Sequence, residues 1–288
     1  MNVKHVGVIT ILLASIIWAI EPILAKLSYE NSDFLHTSAM RAIFAAFTAF
    51  IYIIIIRKSP LKVTKKEVSP LIYIALVGTL FADFMYFFAL SKIPVVNAVV
   101  IGHMQPIFII AFGFFLLKTD KLTTFDYLGI MLMILSSLLV TTRTIENLFS
   151  LRFGTIGDLV VLTATIAWAT SAIVMKKYLT TMNAGLISFY RFFFPSLIFA
   201  AYLGMTSSLM IMNIYQVCIG ILIGIGTILY YEGLKRLKAA QVSGLELSTP
   251  FFAALLAFTF LNEFMTGMQI MGIILLFGGL YLISKKEV

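Results

Sequence analysis

Long apolar runs alternate with short polar gaps along this chain, and ten of the runs come near the roughly 20 residues that cross about 30 Å of hydrocarbon. They are Val6 to Leu27, Phe34 to Ile56, Pro70 to Leu90, Val95 to Leu117, Leu122 to Thr141, Ile156 to Val174, Ala184 to Leu203, Ile214 to Leu234, Ala240 to Leu261 and Gly267 to Ile283. Lipid offers no hydrogen-bond partner to an open backbone, so each run closes its own bonds as an α-helix. The first begins too near Met1, and lacks a small-residue cleavage site after it, to leave as a signal peptide. The pattern predicts an all-α integral membrane protein with ten transmembrane helices.

The runs fall into two sets. Ile16-Ile17-Trp18-Ala19-Ile20-Glu21-Pro22-Ile23-Leu24-Ala25-Lys26 returns 150 positions later as Ile166-Ala167-Trp168-Ala169-Thr170-Ser171-Ala172-Ile173-Val174-Met175-Lys176, and the same offset pairs Arg41 with Arg191. At an offset of 144, Tyr86, Leu90, Lys92 and Pro106 meet Tyr230, Leu234, Arg236 and Pro250; one residue less aligns Asp120 with Glu263 and Gly129 with Gly272. The chain reads as a tandem duplication, 1–144 followed by 156–288.

Loop charges set the expected orientation. With the N-terminus in the cytoplasm, 15 of the 21 basic residues lie inside and only Lys26, Lys92, Arg143 and Arg152 outside, Arg41 and Arg191 being intramembrane. Both termini are then cytoplasmic. Five helices per repeat is an odd number, so the second repeat enters the membrane inverted, as in many secondary transporters that alternate access around a midplane site.

Composition removes the competing classes. At 61% hydrophobic and 12% charged residues, no soluble fold could hide this much apolar surface. The net charge of +8 has no solvated domain through which to hold nucleic acid, so none is expected as a partner. Cys218 is the single cysteine and the three histidines are scattered, so neither a metal nor a cofactor is expected. His-Glu-x-x-His, Gly-x-Ser-x-Gly and the phosphate-binding Gly-x-x-x-x-Gly-Lys-Ser/Thr are all missing, and Gly224-Ile225-Gly226 lacks a third glycine and a strand. What remains is a multi-pass secondary transporter of the cell membrane, monomer or homodimer, not an enzyme and not coupled to ATP.

Polar groups where lipid should be mark the candidate site, because an ionisable side chain at that depth faces protein or a wet cavity. Glu21 lies about 22 Å along the first helix, Asp83 about 20 Å along the third, and His103 about 12 Å into the fourth from outside. These three are the proton-coupling candidates: two acids in one low-dielectric cavity repel, with a histidine in reach, so transport is expected to depend on pH. Plain facilitated diffusion is the competing expectation. Thr79, Asp83 and Tyr86 form a polar stripe at helical spacing. His103 and Glu246 sit just ahead of the repeat-related Pro106 and Pro250, where kinked helices open backbone groups to substrate. Trp18 and Trp168 lie too deep to be interfacial anchors and, with Tyr230, are expected to line the cavity. Arg41 and Arg191 are read as structural, snorkelling or pairing with carbonyl ends, with Arg191 beside a substrate carboxylate as the alternative. Glu232 pairs locally with Lys235 and Arg236, and Gly220-xxx-Gly224 suits close helix packing.

Ten helices in a five-plus-five repeat, a Trp and then a Lys ending the first helix of each half, an early Arg in the second, a Pro in the fourth and the closing Leu261-Asn262-Glu263-Phe264-Met265-Thr266 before Gly272 resemble the drug/metabolite transporter superfamily in its EamA-like branch. The first half departs from that pattern, carrying Lys118-Thr119-Asp120 where the second has Asn262-Glu263. The resemblance implies export of a small metabolite by alternating access, through a cavity lined by helices one, three, four, six, eight and nine. Amino acids are the first expectation for cargo, since the cavity should offer many aromatic faces and few charges; a proton-coupled exporter of organic cations is the alternative.

Overall fold

The structure is a computed structural model and describes residues 3–56, 63–112, 123–150, 154–179, 181–206, 209–237, 242, 245–246 and 248–284. Among them there is no strand. The helices are α1 (Val3–Ser28), α2 (Phe34–Ile56), α3 (Lys65–Leu90), α4 (Val95–Gly102, resumed at Gln105–Phe112), α5 (Thr124–Thr142), α6 (Ile156–Tyr178), α7 (Ala184–Thr206), α8 (Ile214–Arg236), α9 (Ser248–Leu261) and α10 (Gly267–Ser284). Six of the described helices are long and apolar enough to cross a membrane, and shorter apolar helices supply the remaining crossings. The expected end of the fourth run, start of the fifth and start of the ninth lie outside the described residues.

Two boundaries differ for physical reasons. Helix α3 starts at Lys65 instead of Pro70, because the Glu67 carboxylate accepts the Thr64 backbone N–H at 2.8 Å and secures the first turn, leaving Pro70 to sit inside the helix. In α4 the break comes at His103–Met104, three residues ahead of Pro106. A proline ring collides with the carbonyl four residues earlier, here Gly102, so the first piece ends there and Pro106 falls in the first turn of the second. Pro22 produces no such break, and α1 runs through it.

The halves interdigitate. Helix α1 lies along α8 and α9, and α6 lies along α3 and α4; α2 packs on α7 and α8, and α7 on α2 and α3; α5 lies along α10. Exchanging the halves maps each pairing onto another of the set or, for α2 with α7 and α5 with α10, onto itself, as expected of two copies facing each other across a pseudo-two-fold. Glycines set the closest approaches: a Cβ on Gly224 would stand 2.8 Å from Thr48 Cβ and 3.0 Å from the Ala45 carbonyl, so α8 touches the α2 backbone through the spacing it shares with Gly220. Small residues on the facing stripe of α2, Ala42, Ala45 and Ala49, are fully buried.

The end of the bundle carrying the α1–α2 loop is knit together by polar side chains. Asn97 of α4 donates to Asp158 of α6 and accepts from Gln269 of α10, both at 3.0 Å. Glu263 accepts the Val95 N–H at 2.8 Å and lies 3.9 Å from Lys26, joining the α9–α10 loop to α4 and α1. Asn213, which caps α8, and Gln216 within it donate to Ser28 and Ser32, and the Tyr29 hydroxyl donates to the Phe87 carbonyl at 2.9 Å. Breaking into the core from this side therefore means parting several buried or half-buried hydrogen bonds.

Candidate functional site

Between the halves lies a cavity of about 180 Å³. The geometry of α3 prepares one wall. From Ile74 to Asp83 the helix widens into π-type turns, which free carbonyls from the ordinary ladder. One of these, Gly78 O, accepts the Trp168 indole N–H at 3.2 Å, and the same N–H reaches Asp83 Oδ1 at 2.7 Å. Gly78 permits this crossing, since a Cβ there would stand 3.1 Å from Ser171 Oγ on α6.

Of the residues expected at the site, Trp18, Glu21, Asp83, Tyr86, His103, Trp168, Tyr230 and Glu246 all line this cavity. Thr79 does not; it stands behind the wall and accepts from Arg191 Nε at 3.1 Å. Trp18 packs on Tyr230 with ring centroids 4.8 Å apart, and Trp168 on Tyr86 at 5.3 Å. Under the repeat these pairs are copies of each other, each made of one residue from either half.

The structural reading of the two arginines is overturned. Arg41 neither snorkels nor seeks a helix end: it is 5% exposed, donates from Nε to Glu21 Oε1 at 2.5 Å and from Nη1 to Asp83 Oδ2 at 2.8 Å, and lies between the Phe87 and Phe192 rings. Arg191 opens onto the cavity, with Nη2 at 3.5 Å from Asp83 Oδ1 and Nη1 at 3.2 Å from the Tyr231 hydroxyl. The expected repulsion between Glu21 and Asp83 is likewise replaced, because the Arg41 guanidinium stands between them and attracts both. Through these two side chains α2 and α7 join the cavity wall, beyond the six helices expected. The signal for them was present in the repeat alignment, which places an arginine at the same point of both halves.

The repeat also shows where the halves differ. Glu21 corresponds to Ser171 and Asp83 to Thr227, so the second half carries neither acid. Arg41 therefore has two carboxylates of its own half, whereas Arg191 borrows the far oxygen of Asp83 and is otherwise held by the hydroxyls of Thr79 and Tyr231. Glu246 also lines the cavity, with no hydrogen bond or ion pair to any described residue. His103 sits at the break in α4 and donates from Nδ1 to the Val99 carbonyl at 2.8 Å, which leaves Nε2 as an acceptor. No group of metal-ligand type occurs among the described residues. The remaining surface groups behave as expected, Glu232 bonding Arg236 at 2.5 Å with Lys235 at 3.7 Å.

Two stretches of the chain, 5–142 and 155–285, match the model of the EamA-like transporter family. An uncharacterized transporter of Methanothermobacter thermautotrophicus is 26% identical over 294 residues, spanning 94% of this chain and 84% of its own length. An uncharacterized transporter of Synechocystis sp. is 27% identical over 236 residues, 76% of this chain and 66% of its own length. A crystal structure at 15% identity superposes with a TM-score of 0.73, covering 97% of this chain and 96% of that one, which is a likeness of fold. With both halves matched in turn, the chain is a membrane transporter that belongs to the EamA-like transporter family.

Proposed function

We propose that this transporter moves a small amphiphilic zwitterion of the amino acid type by alternating access, with both termini cytoplasmic and the two repeats inserted in opposite senses. The observation that carries the reading is the unequal treatment of the two arginines. Arg41 is used up by Glu21 and Asp83, whereas Arg191, held by the Thr79 and Tyr231 hydroxyls, meets only one carboxylate, shared and at 3.5 Å, and keeps guanidinium donors over the cavity. A planar fork with free donors in a low-dielectric pocket suits a carboxylate. The two aromatic pairs offer faces for an apolar side chain. At about 180 Å³ the cavity is smaller than the roughly 300 Å³ at which pockets for drug-sized ligands begin, which favours an amino acid over a bulky lipophilic cation.

The polar closure at the α1–α2 loop end makes the structure a state shut on that side. Under the proposed orientation this is the outer side, and export fits a cavity loaded from the cytoplasm. Counterflow in proteoliposomes preloaded with amino acids, nucleosides or organic cations tests the reading. Labelled amino acid should enter against its own unlabelled pool alone; uptake only with nucleosides or cations would replace this cargo by theirs.

A further inference from the structure

We propose that Glu246 is the cation-accepting group of the cavity, binding a proton or the ammonium head of the substrate in turn, so that each amine loaded displaces one proton. This deepens the zwitterion reading and rests on it. Among the described residues three carboxylates line the cavity, and two of them are matched by Arg41 and Arg191. Glu246 is the third. It meets no hydrogen bond or ion pair among the described residues and lies beside Tyr230. Helix α9 packs on α1 and α4, whose titratable groups toward the cavity are Glu21, held by Arg41, and His103, with its Nε2 an acceptor. From α3 come Asp83 and Tyr86, from α8 Tyr230 and Tyr231, and from α7 Arg191, which is engaged by Asp83, Thr79 and Tyr231. Among the described residues, no cation bonds Glu246.

A carboxylate in a low-dielectric site without a counter-charge persists only as the neutral acid or with a cation from outside. An ammonium that arrives here meets the carboxylate together with the faces of Tyr230 and Trp18, whose rings stand 4.8 Å apart. The exchange balances: the Glu246 O–H bond breaks, its proton leaves to water, and the carboxylate forms hydrogen bonds to the ammonium. A zwitterion thus has its carboxylate toward Arg191 and its ammonium toward Glu246.

Three ligands that share one phenyl ring and differ in their head group test this: phenylalanine, phenethylamine and phenylpropionate. Trp18 and Trp168 are the only tryptophans and both line the cavity, so their fluorescence reports binding. In lipid nanodiscs near neutral pH, the infrared carboxylic-acid band of the wild type should be weaker in Glu246→Gln and should fall in the wild type when phenethylamine is added. A pH dye in weak buffer should register about one proton released per phenethylamine bound. Glu246→Gln should bind the amine about 10- to 100-fold more weakly, as expected for the loss of a charge-assisted bond, and release none. Phenylpropionate should release none in either protein. If no acid band is lost in the variant, or the amine binds both proteins alike while phenylalanine still binds the wild type, the proposal falls alone. If none of the three ligands binds, the amine site falls together with the zwitterion reading.

Discussion

Replacing Arg41 by methionine keeps the reach and apolar stem of the side chain and removes the charge that joins Glu21 to Asp83. In the folded protein those carboxylates are 8% and 4% exposed, and Arg41 supplies both short contacts, at 2.5 and 2.8 Å. Removing one partner of a buried ion pair typically destabilises by about 3–5 kcal/mol, because a charge is left without compensation. Asp83 keeps the Trp168 indole at 2.7 Å and Arg191 at 3.5 Å, so most of the loss resides in Glu21, which has no other hydrogen-bond partner among the described residues. Arg41→Met should therefore lower stability by the order of that range, and adding Glu21→Gln should recover more than half of it. The assay is unfolding in mixed micelles with increasing SDS, followed through the two cavity tryptophans. A single variant as stable as the wild type, or a double variant no better than the single, would refute the claim that Arg41 is the electrostatic centre of the site.

Other consequences are open to similar tests. Gly224→Val drives a side chain into Thr48 and the α2 backbone, so it should lose about 1–3 kcal/mol in the same unfolding assay, whereas Gly204→Ala, whose Cβ meets nothing within 4 Å, should be neutral or gain up to about 1 kcal/mol from helix propensity. At the start of α2, burial works to raise the Asp33 carboxyl, but the His36 backbone N–H at 2.8 Å and ring N–H at 3.0 Å outweigh it and hold it below its ordinary 3.8. A depressed acid stabilises the fold above its unfolded value and ceases to as pH falls through the folded one, so Asp33→Ala should separate from the wild type above about pH 4 and converge with it in stronger acid. For orientation, Glu146→Cys in a Cys218→Ser background should react with an impermeant thiol reagent applied to intact cells, and Lys66→Cys only after permeabilisation; the reverse would overturn the proposed topology.

Helix number and the five-plus-five division were legible because lipid imposes length and closed hydrogen bonding on every segment, and because the duplication repeats landmarks such as Trp18 and Trp168. Placement on the cavity was legible at Glu21, Asp83, His103 and Glu246 for a related reason, since an ionisable group in an apolar run is conspicuous. Arg41 and Arg191 were conspicuous too, but the sequence does not say which way a long side chain turns: near a helix end it can run out to the interface or inward to an acid. The partners that decide the inward course of Arg41, Glu21 of α1 and Asp83 of α3, come from other helices and are fixed only by the packing of the bundle. The π-type turns of α3 left no trace in the pattern, and the groups of the other half that bond this stretch, Trp168 and Arg191, are distant in sequence. Nor could hydropathy show that Thr79 stands behind the wall, since a stripe at helical spacing fixes a direction and the widened turn changes it.

The central claim is that substrate occupies the cavity between the halves with its carboxylate at Arg191. Counterflow of phenylalanine and of phenethylamine by wild-type protein and Arg191→Gln, in the same proteoliposomes, tests it most directly. The account predicts that the variant loses most phenylalanine counterflow and keeps that of phenethylamine, which has no carboxylate and also shows that the variant is folded. Undiminished phenylalanine counterflow in Arg191→Gln would contradict it.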